Sequence, residues 1–320
     1  MPTPTPVPAA LDPEIAEALA RFPIDVGALL GTLAADTLAT VRATTVAPPV
    51  ELGNHVERTV HQVPGPAGVV VRVHRPTAAT GVLPCIFWMH GGGLVLGDAI
   101  GDDPRFDRWC PLLDCVGVSV QYRLAPETPY PGPLDDCLAG LVWVHDHATE
   151  LGVDPSRIGI GGASAGGGLA AGLALLARDR GGPAIAFQLL VYPMIDDRQL
   201  TTSSRWADPL WPPSANTFGW SAYLGTARGG PDVPAYAAPA RATDLAGLPP
   251  TLISVGANDC FADEDTDYAV RLRHAGVPVD LHVYAGAPHG FDSLLPGTAV
   301  AQRAARAMEE WLRSRLHPDR

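Results

Sequence analysis

Apolar positions along this chain alternate between short β-branched runs and stripes of helical period, and the order of the two predicts the architecture. Runs at 69–73, 85–89, 116–121, 158–161, 185–192, 251–255 and 279–284 are short and apolar, as buried strands are. Stripes at 133–147, 165–178, 263–274 and 298–316 predict helices, with Asp135 and Asp136 in the favourable first turn of the earliest. Alternation on this scale specifies an α/β fold, a mostly parallel sheet covered on both faces. Two regions stand outside it. Residues 13–46 carry a helical pattern, with Ile15, Ala18, Leu19 and Phe22 on one face, then Leu29, Leu30 and Leu33. Residues 195–226 crowd Trp206, Trp211, Phe218, Trp220 and Tyr223 into an irregular segment. Residues 1–12 are proline-rich and expected to be mobile.

Composition narrows the class. A chain of 320 residues can bury one large α/β core or two smaller ones. A net charge of −12, without a long block of like charge, argues against a nucleic-acid partner. Cys85, Cys110, Cys115, Cys137 and Cys260 make no C-x-x-C and no zinc-spaced cluster. Free thiols in a reducing cytoplasm and no metal are therefore expected, with a Cys110–Cys115 bridge unsupported. The start lacks the basic and apolar regions of a signal peptide. Residues 158–177 match a membrane span in length and apolarity, but their many glycines and central serine fit a buried strand, turn and helix better.

The chemistry centres on Gly162-Ala163-Ser164-Ala165-Gly166, which follows the strand at 158–161 and opens the helix at 165–178. This is G-x-S-x-G in the strand-turn-helix setting of a nucleophile elbow. The turn leaves no room for side chains two residues either side of the serine, and the helix N-terminus favours developing negative charge. A serine needs a base, and the base an orienting acid. His289, in Ala287-Pro288-His289-Gly290-Phe291, lies in a loop past the strand at 279–284, near the end of the chain. Asp259 follows the strand at 251–255, at a C-terminal strand end where α/β sites form. Asp196, Asp197, Asp263 and Glu264 are its rivals, the last two better placed to cap or enter the next helix. His90-Gly91-Gly92-Gly93 follows the strand at 85–89, where glycine N–H groups can meet a carbonyl oxygen gaining charge. A phosphate cradle lacks its Gly-Lys-Ser/Thr, and Gly166-x-Gly168-x-x-Ala171 lies inside a helix rather than before one.

From about residue 65 onward, the ordered set His90–Gly93, Tyr122-Arg-Leu-Ala-Pro-Glu127, Gly162–Gly167, Gly256-Ala-Asn-Asp259 with Asp263-Glu264, and His289-Gly-Phe291 resembles the hormone-sensitive-lipase-like bacterial carboxylesterases. These belong to the α/β-hydrolases. The resemblance implies a triad of Ser164, Asp259 and His289, and an oxyanion hole drawn from Gly91, Gly92, Gly93 and Ala165, Gly92 being favoured. It implies a catalytic domain over 51–320, N-terminal cap helices in 1–50 and a cap insertion at about 195–226. Leu94, Trp206, Trp211 and Phe218 would then line an apolar pocket for a small-molecule ester. Two positions depart from the family: Ala163 stands where Asp or Glu is usual, and Leu94 where an aromatic is usual. Arg123 and Glu127 are expected to pair and fix the loop beneath the site. No cofactor and no membrane partner are implied, and a homodimer through 279–284 and 298–316 is an expectation from relatives. Hydrolysis of amides, lactones or carbamates would use the same residues, and a ligand-binding role could use the same scaffold.

Overall fold

The computed structural model describes residues 8–45, 50–65 and 68–318. Its strands are β1 (Val56–Gln62), β2 (Val70–Pro76), β3 (Leu83–Met89), β4 (Val116–Gln121), β5 (Val153–Ala163), β6 (Gln188–Val191), β7 (Thr251–Gly256) and β8 (Val279–Tyr284). They form one sheet in the order β1-β2-β4-β3-β5-β6-β7-β8. β2 is antiparallel to both neighbours, and every pair from β4 to β8 is parallel. The predicted α/β class is therefore what the chain adopts.

Strand periodicity explains how the layers form. Along β3, Cys85, Phe87 and Met89 enter one apolar layer while Ile86 and Trp88 enter the other. Helices Gly132–Asp146, Ala165–Arg180 and Ala262–His274 contribute to the first layer; Asp103–Leu113 and Ala299–Leu316 contribute to the second. In the last helix Val300, Ala304, Met308 and Leu312 form a buried i,i+4 stripe, and the Thr298 hydroxyl caps its start. Full burial of each large side chain contributes about 2–3 kcal/mol. The strand ends that carry the site are thus clamped from both sides.

Several local expectations change. The helical pattern at 13–46 becomes Pro13–Ala20, Val26–Gly31 and Leu38–Thr44, with Val46 outside the described residues. Pro23 cannot continue a helix, and Asp12 and Asp25 cap separate starts through their carboxylates. The segment at 195–226 contains a helix, Pro213–Leu224. Tight packing joins these two regions: a Cβ at Gly27 would meet the Pro209 carbonyl oxygen at 2.5 Å. Residues 158–177 are β5, a turn and a helix, and no described helix is long and apolar enough to cross a membrane. All five cysteines are buried and free. The proline-rich segment at 1–7 lies outside the described residues.

Arg123 and Glu127 do not pair. Arg123 turns toward the following helix, where its N–H and guanidinium donate to the fully buried Asp136 at 2.7–2.9 Å. Glu127 faces outward and accepts from Arg42 of Leu38–Thr44 at 2.7 and 2.9 Å. The Arg42 guanidinium also donates to the carbonyls of Val95 and Ala125. The loop is fixed as expected, but by two separate partners.

Candidate active site

Ser164 sits between β5 and Ala165–Arg180 with φ 57° and ψ −121°, a conformation that L residues rarely hold. Neighbours enforce it. The Ser164 N–H donates to the Val191 carbonyl at 2.8 Å, while its carbonyl accepts from Gly168 and Met194 at 3.0 Å. A Cβ at Gly162 would overlap the Gly166 carbonyl, and one at Gly166 would overlap the Met89 carbonyl. The glycines flanking the serine are therefore required by close backbone approach, as the sequence implied.

The structure brings Ser164, His289 and Asp259 together from the ends of β5, β8 and β7. His289 Nε2 lies 2.9 Å from Ser164 Oγ, and Nδ1 lies 2.8 Å from Asp259 Oδ2. In the neutral tautomer Nδ1–H donates to the carboxylate, leaving Nε2 to accept the serine proton. Asp259 Oδ1 accepts the Phe261 N–H at 2.9 Å. Burial lowers the His289 pKa, but the charge and hydrogen bond of Asp259, with Asp208 and Asp292 beyond, leave it raised above 6.5.

Each rival acid is engaged elsewhere. Asp196 binds Arg198, and Asp197 binds Arg241 and the Gly229 N–H. Asp263 accepts from Ser203 N–H; buried Glu264 accepts from the N–H groups of Ile195 and Asp196.

The glycine loop passes beside the serine. A Cβ at Gly91 would lie 3.5 Å from Ser164 Cβ. Gly92 (φ 119°) accepts the N–H groups of Val95 and Leu96, and a side chain there would strike the Leu96 carbonyl. His90 shapes this loop. Its Nδ1–H donates to the Gly91 carbonyl at 2.8 Å, and its ring stacks on Tyr122 at 4.1 Å. Burial pushes the His90 pKa down to about 4, so the ring is neutral at pH 7.

Of the expected pocket residues, Trp211 reaches the glycine loop and His289. Its ring occupies the space where a Gly93 side chain would stand and lies 6.3 Å from the His289 ring. Leu94 is buried beside it in sequence, with φ 68°. Trp206 and Phe218 are half-buried, the first just after the turn Ser203–Arg205, the second on Pro213–Leu224.

Sequence reasoning missed three groups around His289. Tyr192 and Phe261 meet the imidazole edge-on at 4.6 and 5.0 Å, and the Tyr192 hydroxyl donates to Asp292 at 2.5 Å. Asp208 accepts the His289 main-chain N–H at 2.9 Å. Tyr192 follows β6 and Phe261 lies two residues past Asp259, so strand-end position was a usable signal for both. Asp208 follows no strand and offered none.

Comparison with known proteins shows what the whole chain is similar to. Residues 86–293 match a family described as alpha/beta hydrolase fold. Carboxylesterase NlhH of Mycobacterium tuberculosis is 37% identical over 318 residues, 96% of this chain and 97% of that protein. Carboxylic ester hydrolase LipN of the same organism is 38% identical over 247 residues; the match covers 75% of this chain and 65% of LipN, just under two thirds of that relative. Among solved structures, a bacterial heroin esterase has a TM-score of 0.85 at 41% identity, covering 96% of this chain and 98% of the other.

Proposed function

The chain belongs to the hormone-sensitive-lipase-like esterases of the α/β-hydrolase superfamily and is a carboxylic ester hydrolase, and on that premise we propose that it cleaves short- to medium-chain acyl or aryl esters through an acyl-enzyme on Ser164. The observation that carries this reading is the hydrogen-bonded line that starts on a strained serine, Ser164 Oγ, and runs through His289 to Asp259. Ser164 Oγ attacks the ester carbonyl carbon as His289 Nε2 takes its proton, and Asp259 stabilises the imidazolium. The negative oxygen is met by N–H groups of the loop Gly91–Gly93 and of Ala165, each worth about 3–4 kcal/mol. Collapse breaks the bond to the alcohol, which leaves with the proton from His289. Water then repeats the sequence and frees the acid. This scheme uses no cofactor and no metal.

Trp211 above Gly93 and buried Leu94 support a narrow acyl site. The helices before residue 45 and the segment at 195–226 act as the cap over a catalytic body at 51–320, a reading supported by the contact of Gly27 with Pro209. β8 ends the sheet, and its free edge beside Ala299–Leu316 is the surface offered to a second copy. Five free thiols support residence in a reducing compartment. The experiment is a rate series on p-nitrophenyl esters of rising chain length, run beside Ser164→Ala. Rates should peak at short acyl groups, and the variant should keep less than about a thousandth of wild-type activity. A peak at about ten carbons or more would contradict the narrow site. Substantial activity in Ser164→Ala would contradict the nucleophile.

A further inference from the structure

Asp208 lies among the cap aromatics, yet its carboxylate is turned into the space behind His289 and is almost fully buried. Its Oδ2 accepts the His289 N–H at 2.9 Å, and Oδ1 accepts the N–H groups of Leu210 and Trp211 at 2.8 and 3.0 Å. Carboxylate oxygens of Asp208 and Asp259 and the Cys260 sulfur lie within 4.8 Å of one another. A buried anion beside another anion costs free energy unless something holds it there. Here three main-chain donors and the imidazole do so.

We infer that Asp208 is a positioning residue of the active site, a second carboxylate that fixes the His289 main chain from the cap side. The inference rests on the assignment of Ser164, His289 and Asp259 proposed above. Facing His289 are Ser164 on its Nε2, Asp259 on its Nδ1, Asp208 on its main chain, Asp292 through Tyr192, and the rings of Tyr192, Phe261 and Trp211. Among the charges, Asp208 follows Asp259 in raising the proton affinity of His289. Burial and the charge of Asp259 in turn push the Asp208 carboxyl up to about 6, so it is mostly ionised at neutral pH. Because one carboxylate oxygen also holds the Trp211 N–H, Asp208 ties the pocket wall above Gly93 to the base.

The test is the pH profile of kcat/KM for p-nitrophenyl acetate in wild type, Asp208→Asn and Trp211→Ala, with thermal melting as the check on folding. In Asp208→Asn, kcat should fall about 10- to 100-fold with KM changed less than about threefold, a loss falling on the chemical step. Its acid limb should move down by about half a pH unit or more, because one negative charge facing the imidazole is gone. Trp211→Ala should change KM and leave the limb in place. A limb unmoved in Asp208→Asn, or moved equally in Trp211→Ala, overturns the inference. Should Asp208→Asn not fold, Asp208→Glu keeps the charge and must keep the wild-type limb; a shifted limb there also overturns it. Ser164→Ala tests the underlying assignment alone, since activity surviving in that variant removes the nucleophile whatever Asp208 does.

Discussion

Two buried histidines stand at C-terminal strand ends of the same sheet, His90 after β3 and His289 in the loop after β8, and they have opposite proton affinities. Burial depresses both. At His289 the Nδ1–H meets a carboxylate and two further acids lie behind, so the net effect is upward. At His90 the Nδ1–H meets a carbonyl and the ring stacks on Tyr122, so burial wins. Desolvation sets a common starting point; the group facing Nδ1 decides whether a histidine can gain and lose a proton near neutral pH. His289 can serve as a base, whereas His90 is a neutral donor that shapes the glycine loop.

The sharpest way to break this distinction is to remove each ring in turn. His289→Ala should lose about 10⁴-fold or more in kcat, and His90→Ala about 10- to 100-fold through the loop it holds. Equal losses on p-nitrophenyl acetate would erase the difference in role. A milder test uses pH. Because His289 must be neutral to accept the serine proton and its pKa is raised, kcat/KM should fall as pH drops through a value above 6.5. A limb below 6 would mean that the carboxylates do not govern the base.

The same shifts predict opposite stability effects. The raised pKa of His289 gives stability that is present below 6.5 and lost as pH rises through its folded value. The lowered pKa of His90 gives stability present above 6.5 and lost as pH falls through about 4, on the order of 3 kcal/mol. Urea unfolding of wild type and His90→Asn should therefore differ by a constant amount above 6.5 and converge as pH falls toward 4. The smallest effect concerns the tether on the His90 side. Arg42→Ala leaves the Val95 and Ala125 carbonyls without their guanidinium and should cost about 1–2 kcal/mol. Its ion pair with exposed Glu127 adds little, so Glu127→Gln should change the melting temperature by about a degree or less.

Legibility in the sequence followed how local each constraint is. The elbow was readable because its G-x-S-x-G spacing is local: Gly162 answers to the Gly166 carbonyl four residues on, although Gly166 itself answers to the distant Met89 carbonyl. His289 and Asp259 were readable from strand ends and chain order. β1 escaped because it is an edge strand whose side chains mostly face outward, so its apolar alternation is weak. Helix Asp103–Leu113 escaped because Pro104, Pro111 and four charged residues blur its stripe. The partners of Arg123 and Glu127 were misread for a related reason. Asp136 and Arg42 lie 13 and 85 residues away, and no nearest-neighbour rule selects them. Asp208 is a further case, 81 residues from the main-chain N–H it holds.

The distance from Ser164 to His289 along the chain is 125 residues, and His289 lies in the loop after β8, which pairs with β7 at the end of the sheet. A chain leaving the ribosome therefore exposes its serine long before it can activate it. Refolding should show the same delay: tryptophan burial and helical signal should recover ahead of ester turnover, with turnover tracking the docking of the final strand. On the proposed assignment, ester turnover is expected to report completion of the fold.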